Sequence, residues 1–554
     1  MHLPLSAAVV AILYSRFVRS GPVVDLGYAQ YQGIVSSANY THFFGIRYAA
    51  APLGNLRFRA PHPPVRVTGI QNATVQPNPC FQALNGTSPT NPLAAAARAV
   101  VDPGPGANQM EDCLFLNVYY PSDALGTPPR GLPVLVWIHG GGYLARQASL
   151  FNGDDLLDQS NRNVVVVVLQ YRLGLFGFLS GTKVKQDGEL NAGLLDQDFA
   201  FRWVQQHIHK FGGDKDKVTI WGESAGERIT GVHWGTEENI DNGPKLQHVI
   251  ANGGNTQPPL FRAAITSSTF LPSQYRYNAR IPELLFSKVV SQVGCSAAAD
   301  TMACLRAVDA NTLEAANINI NNAGFVGTFT LVPVVDGTFI QQRPTVALAQ
   351  GKVNGEALLS VTNTLEGNMF VNQSSGATAN ATQYALNLFP NLQPAQAARV
   401  KNLYAGLGTP LEQQGAIQGE AIFICPTYYL LRAFRNKAFK GEFSIPPALH
   451  GFDLTYYFPS LAPFIPLLFP NRDFIDAFAQ SFSAFVMSVD PNVPVHPHAP
   501  TILPKWKTWA QGRGEVEMLF NRTGDDPDVR LVRTDEKLLE RCAFWESVGE
   551  YTGQ

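Results

Sequence analysis

A serine stands between two glycines at Gly222-Glu223-Ser224-Ala225-Gly226, directly after the apolar run "VTIW". The glycines let the backbone make a tight strand-to-helix turn, which holds Oγ clear of its surroundings. The plainer reading is a glycine-rich loop with an incidental serine, and a buried strand immediately before it argues against that. A serine hydroxyl is a weak nucleophile and needs a base, which a third group must orient. Downstream, Glu366 in "NTLEGNMF" follows the run "ALLSVTN" by a short turn. Asp336 in "LVPVVDG" is the runner-up acid, although an aspartate before glycine is more simply a turn residue. Beyond Glu366 the histidines are His450, His496 and His498. His496 and His498 sit in the proline-rich "PNVPVHPHAPT"; spaced histidines suggest a metal, but such residues are more often on the surface. His450, in "PPALHGFDLTYYF", lies between two prolines and an aromatic run, a constrained loop able to aim an imidazole. The chemistry is then acyl transfer: Ser224 attacks, His450 carries the proton, and Glu366 sets the tautomer of His450.

A tetrahedral intermediate also needs donors for its oxyanion. "WIHGGGY" supplies them, because consecutive glycines bring backbone N–H groups to a substrate without side-chain obstruction. The donors are assigned as the N–H groups of Gly141, Gly142 and Ala225. A phosphate-binding loop is the rival reading, but no Lys-Ser/Thr pair follows. The mechanism needs no metal and no organic cofactor.

These residues must be positioned by regular elements. "PVLVWIH", "NVVVVVLQY" and "KVTIW" are continuous apolar runs, as in strands covered on both faces. "GLLDQDFAFRWVQQHIHKFG" has helical spacing and ends at Gly212-Gly213. "FRAAITSS" and "EALLSVTN" predict two more strands. Alternating strands and helices predict an α/β fold with a mostly parallel twisted sheet flanked by helices. A loop past a strand's carboxyl end is where such a sheet builds its site, which favours Glu366 over Asp336.

Of 554 residues, 45% are hydrophobic and 15% charged, a globular balance. The net charge of −2 shows no basic block, which excludes nucleic acid as a natural partner. The apolar segment from Leu3 to Tyr14 is too short to span a bilayer and fits a signal peptide, with residues 1–20 removed at Ser15 or Ser20. The remainder, 21–554, reads as one domain, secreted, with no stable membrane insertion. Sequons stand at Asn39, Asn72, Asn85, Asn372, Asn380 and Asn521. Cys80 and Cys113 bracket one polar loop and Cys295 and Cys304 another, as secretory disulfides do. Cys425 in "AIFICPTYYLL" is read as a buried thiol and Cys542 as free, with a bridge between them left open.

The blocks "FFGIRYAAAPLGNLRFRAP", "MEDCLFLNVYYP", "VLVWIHGGGY", "VVVVVLQYRLGLFGFLS" and "VTIWGESAG" together resemble the type-B carboxylesterase/lipase family. That is the cholinesterase-like branch of the α/β-hydrolase fold, and the general flavour is similar to its secreted fungal members. The resemblance runs almost the full length. It implies a Ser-Glu-His triad at Ser224, Glu366 and His450, and disulfides Cys80–Cys113 and Cys295–Cys304. It implies a small-molecule or lipid ester as substrate and leaves the oligomeric state open. "NPLAAAARAVV", inside the first disulfide loop, fits a lid helix suited to lipid interfaces or plain structural filler. That loop has no tryptophan, which disfavours a choline ester. The aromatic run "DLTYYFPSLAPFIPLLF" predicts an apolar acyl pocket, or core packing.

One stretch departs from the pattern. Residues 227–245 hold charged residues, glycines and Pro244 where relatives carry a tightly packed helix; the pattern resumes at Leu246. Such a composition cannot be buried without unpaired charge and lost backbone bonds. It is either a native insertion or the translation of a retained intron, since Gly-Glu-Arg is encodable with a splice donor. The leading reading is a serine hydrolase of carboxylic esters. The alternatives are a lipase on long-chain acylglycerols or sterol esters, a non-catalytic interaction protein, or an inactive retained-intron product.

Overall fold

Val134, Val136 and Ile138 turn to one side of their strand, Leu135 and Trp137 to the other, and all are buried. Val165, Val167 and Leu169 share the first side, and Val166 and Val168 the second. A strand buried on both faces must be apolar throughout, which is why these runs do not alternate. The computed structural model describes residues 19–91, 108–223, 245–510 and 515–554, omitting the side chains of Arg19, Lys245, Ala377 and Thr378.

Among the described residues thirteen strands form one sheet. They are β1 (Arg19–Asp25), β2 (Gln30–Val35), β3 (Tyr40–Arg47), β4 (Ile70–Asn72), β5 (Phe115–Pro121), β6 (Leu132–Gly140), β7 (Val165–Leu169), β8 (Gly213–Glu223), β9 (Ala263–Ser267), β10 (Ala357–Asn363), β11 (Ala438–Phe443), β12 (Val516–Thr523) and β13 (Asp526–Arg533). Their order is β1-β2-β3-β5-β7-β6-β8-β9-β10-β11-β12-β13, with β4 beside β2. From β7 through β12 every neighbouring pair is parallel. The flanks β1-β2-β3-β5-β7 and β12-β13 are antiparallel. This is the expected α/β-hydrolase sheet. The chain passes from β6 to β7 and then crosses back to β8 on the other side of β6. Their carboxyl ends therefore flank the crevice where such sheets bind ligands.

On one face lies the helix Arg472–Ser488, whose Phe474, Phe478, Phe482 and Phe485 form a helical stripe against Trp221 and Phe520. The aromatic run after His450 joins this layer: Leu454, Tyr456, Tyr457, Phe458, Leu461, Ile465 and Phe469 are all buried there. Core packing is thus the correct reading of that run. On the other face lies the helix Ala192–His207, continued by the short 3-10 helix Ile208–Phe211, which stops at Gly212 with φ 83°. Buried bidentate pairs Arg57–Glu111 and Arg172–Asp196 account for charged positions within otherwise apolar blocks. β1 begins at Arg19, and Arg19 and Ser20 already pair with Val35 and Ile34. Residues 1–18, covering most of the expected signal segment, lie outside the described residues. No helix among the described residues is long and apolar enough to cross a membrane.

Cys80–Cys113 and Cys295–Cys304 are bridged. So are Cys425 and Cys542, which corrects the reading of two free thiols. Cys425 opens the helix Cys425–Ala433 and Cys542 lies on the helix Glu536–Ser547; packing brings their Cα atoms to 5.0 Å. The bond spans 117 residues, so nothing local in the sequence announces it. In the chain-entropy account a loop of that length contributes roughly 4–5 kcal/mol.

Candidate active site

The expected site residues that the structure describes, Gly141, Gly142, Glu366 and His450, lie past the carboxyl ends of parallel strands. β8 ends at Glu223, immediately before Ser224. Glu366 follows β10, His450 follows β11, and Gly141 follows β6. Ser224 and Ala225 lie outside the described residues, as do residues 227–244 of the anomalous stretch and all but Asn91 of the expected lid helix.

His450 Nδ1 is held by Glu366 Oε2 in a very short contact. The other ring nitrogen, Nε2, lies 3.8 Å from Oε1 of Glu223, so it faces the end of β8. Both side chains are almost wholly buried. The two loops are zipped together. Leu365 N donates to Ala448 O at 2.9 Å, and Thr364 N to Phe443 O at 3.1 Å. Glu366 is fixed further by Asn363 N at 2.6 Å and Ser268 Oγ at 2.7 Å, both donating to Oε1. A carboxylate saturated on one oxygen leaves the other to orient the imidazole. Phe423 and Phe370 cover His450, with ring centroids 4.5 and 5.2 Å away.

Four supporting residues were not foreseen: Glu223, Ser268, Asn363 and Asp453. Asn363 Nδ2 donates to Ser268 Oγ at 3.3 Å and to Asp453 Oδ1 at 3.0 Å. The available signals were positional: a second serine just past the run of β9, and an aspartate three residues after His450. Asp453 is fully buried, and desolvation pushes its carboxyl up to about 6, aided by the charge of Glu366 and opposed by the Asn363 bond. A carboxyl raised on folding stabilises fully below its unfolded value near 3.8, and that contribution is lost as pH rises through 6. Asp453→Asn, permanently neutral, is therefore expected to raise Tm more at pH 8 than at pH 4. Thermal melts at the two pH values check this, and the reverse order would show that the folded protein prefers the charged form.

The loop after β6 turns on Gly141 at φ 109°, Gly142 at φ 55° and Tyr143 at φ 68°. Gly141 O accepts Leu144 N at 2.6 Å and Ala145 N at 3.0 Å, closing the turn, while Gly174 N donates to Tyr143 O at 2.6 Å. A Cβ on Gly141 would lie 1.9 Å from Ala145 O, and one on Gly142 would lie 2.1 Å from the Phe329 ring. Only glycine fits either position. His139, just before, is buried against Tyr171, and burial pushes it down to about 3, so it is a neutral structural ring.

Asp336 is engaged elsewhere. Its Oδ1 accepts Thr338 N at 2.6 Å and Ile340 N at 3.1 Å, and Oδ2 accepts Asn191 Nδ2 at 2.5 Å; it is a turn residue. His496 is half-buried and His498 exposed. Among the described residues no group of three or more His, Cys, Asp or Glu gathers as a metal site. Of the sequon asparagines, Asn39, Asn72, Asn372 and Asn380 are exposed, and Asn85 and Asn521 half-buried.

An apolar pocket lies beside the aromatic wall, lined by Phe270, Ile281, Leu285, Phe329, Leu388 and Ile422 among others. Phe270 stacks on Phe423, which covers His450. The acyl pocket expected from the run after His450 is thus not there. That run is spent on the opposite sheet face, and the pocket is built from segments near residues 270–285, 324–334 and 388–422.

Residues 20–545 match the family model described as the carboxylesterase family. The chain belongs to the carboxylesterase family. Like that family, it is a carboxylic ester hydrolase. It is 30% identical over 572 residues to the carboxylesterase patB of Aspergillus clavatus, covering 95% of this chain and 96% of that one. It is 30% identical over 456 residues to a secreted lipase of Arthroderma benhamiae, covering 79% and 83%. The solved structure of Aspergillus niger EstA superposes with a TM-score of 0.81 at 29% identity, covering 97% of this chain and 99% of that one.

Proposed function

We propose that this carboxylesterase works through an acyl-enzyme formed on Ser224. Ser224 Oγ attacks the ester carbonyl while His450 Nε2 takes its proton. The N–H groups of Gly141, Gly142 and Ala225 receive the oxyanion, and collapse expels the alcohol, protonated by His450. Water, deprotonated by His450, then attacks the acyl-enzyme and restores Ser224. Glu366 keeps Nδ1 protonated throughout, so that Nε2 carries the lone pair that acts as the base. The observation that carries this reading is the imidazole pinned at Nδ1 by Glu366, with Nε2 turned to the strand end that leads into Ser224.

The apolar pocket beside the aromatic wall supports an ester with an apolar acyl or alcohol group. Three disulfides and relatives named as secreted lipases support an extracellular enzyme. The lipase reading differs only in substrate. With p-nitrophenyl esters of rising acyl length and emulsified triacylglycerol, an esterase saturates below the solubility limit of its substrate, whereas a lipase gains rate above it.

Residues 227–245 bear on whether this chain is active as written. A segment directly after the nucleophile that shifted the oxyanion donor at Ala225 by about 1 Å would cost roughly 100-fold in rate. Transcript reads across the segment distinguish an insertion from a retained intron. Expressing the chain with and without residues 227–245 measures the consequence. If the segment is a retained intron, the shortened chain is the more active by at least about 100-fold. Equal activities would show that the segment is accommodated.

A further inference from the structure

Pro426 has no N–H, and this leaves two backbone carbonyls of the preceding turn without a ladder donor. Glu420–Ile424 is a π-turn in which Cys425 N donates to Glu420 O. The ladder partner of Ala421 O in the π register, and of Ile422 O in the α register, would be residue 426. Both carbonyls are instead met from outside. Leu271 N donates to Ile422 O at 2.9 Å. The Gln554 amide donates to Ala421 O at 2.8 Å and also to Leu271 O at 2.7 Å. A primary amide has two N–H donors in a rigid fork, and here each goes to a different segment. Gln274 N adds a bond to Gly553 O at 2.8 Å. Gln554 is 3% exposed.

Both bridged segments contribute to the wall of the apolar pocket. One carries Phe270, Pro272 and Ser273; the other carries Gln418 and Ile422. The second also carries Phe423, which covers His450. We infer that Gln554 is a specificity-determining positioning residue, whose amide fixes the separation of these two lining segments and so the size of the apolar group the ester can carry. This rests on the reading that the pocket holds that group.

The test uses the full chain and p-nitrophenyl acetate, butyrate and decanoate. Gln554→Met and Gln554→Ala remove the fork, the first keeping its length. Leu285→Trp fills the pocket directly, and Thr345→Val removes the 2.6 Å bond to the main-chain oxygen of Gln554, outside the pocket lining. Both Gln554 variants are expected to change the decanoate-to-acetate ratio of kcat/KM by about 10-fold, the scale on which a pocket discriminates small changes in apolar size. Leu285→Trp is expected to move the same ratio, and Thr345→Val to lower Tm without moving it. A ratio moved by Leu285→Trp but unmoved in the Gln554 variants overturns the inference alone. A ratio unmoved by Leu285→Trp overturns the pocket reading and the inference with it. An equal shift in Thr345→Val, or failure of both Gln554 variants to fold, overturns the inference by assigning the amide to general stability.

Discussion

Alanine at Ser224 or at His450 is expected to lower kcat for p-nitrophenyl butyrate by about a millionfold, with KM little changed. Nucleophile and base act as a unit, so losing either removes the covalent route, and the double variant is expected to be no worse than either single one. Glu366→Gln is expected to cost less, about ten-thousandfold. The Gln amide keeps the shape of Glu366 and can still receive Ser268 Oγ and Asn363 N on its oxygen. Its NH2 group would then face Nδ1, favouring the tautomer with the proton on Nε2, where it cannot act as a base. Steady-state kinetics with active-site titration check all three. A Ser224→Ala enzyme retaining activity within about 10-fold of the parent would sink the mechanism.

Gly142→Ala is expected to lower kcat/KM by about 100- to 1,000-fold while leaving most of the protein folded. The added methyl falls 2.1 Å from the Phe329 ring, so the loop or the ring must move. Movement of the loop would displace the N–H groups of Gly141 and Gly142 from the proposed oxyanion position, where each donor is expected to matter by about that factor. Gly131 is the control. It too has positive φ, at 73°, but an added Cβ there meets nothing within 4 Å. Gly131→Ala therefore carries similar backbone strain, about 1 kcal/mol, without the displacement. Equal kinetics for the two variants would show that the loop after β6 does not hold the oxyanion.

The parallel strands and the positions of Glu366, His450 and the glycine loop were legible in the sequence because their causes are local. A strand buried on both faces must be continuously apolar, as in "VVVVVL". A turn with positive φ and no room for Cβ must be glycine, as at Gly141 and Gly142. Chain order and loop context picked out Glu366 and His450, a pair that the fold brings into contact, ahead of Asp336, His496 and His498. What the sequence did not decide depended on which distant segments meet. Cys425 and Cys542 looked unpaired because 117 residues separate them, and only helix packing brings them together. The aromatic run after His450 fitted an acyl pocket and core packing alike, since apolar side chains bury equally well against substrate or against a sheet; its place under the helix Arg472–Ser488 settled the matter. The support behind Glu366 is of the same kind. Ser268, Asn363 and Asp453 come from three different segments, and only the register of β9 beside β10 and the fold of the loop after β11 make them neighbours. Residue types and short spacings therefore named the chemistry, whereas the pairing of remote segments, a property of the packed sheet, determined what holds it in place.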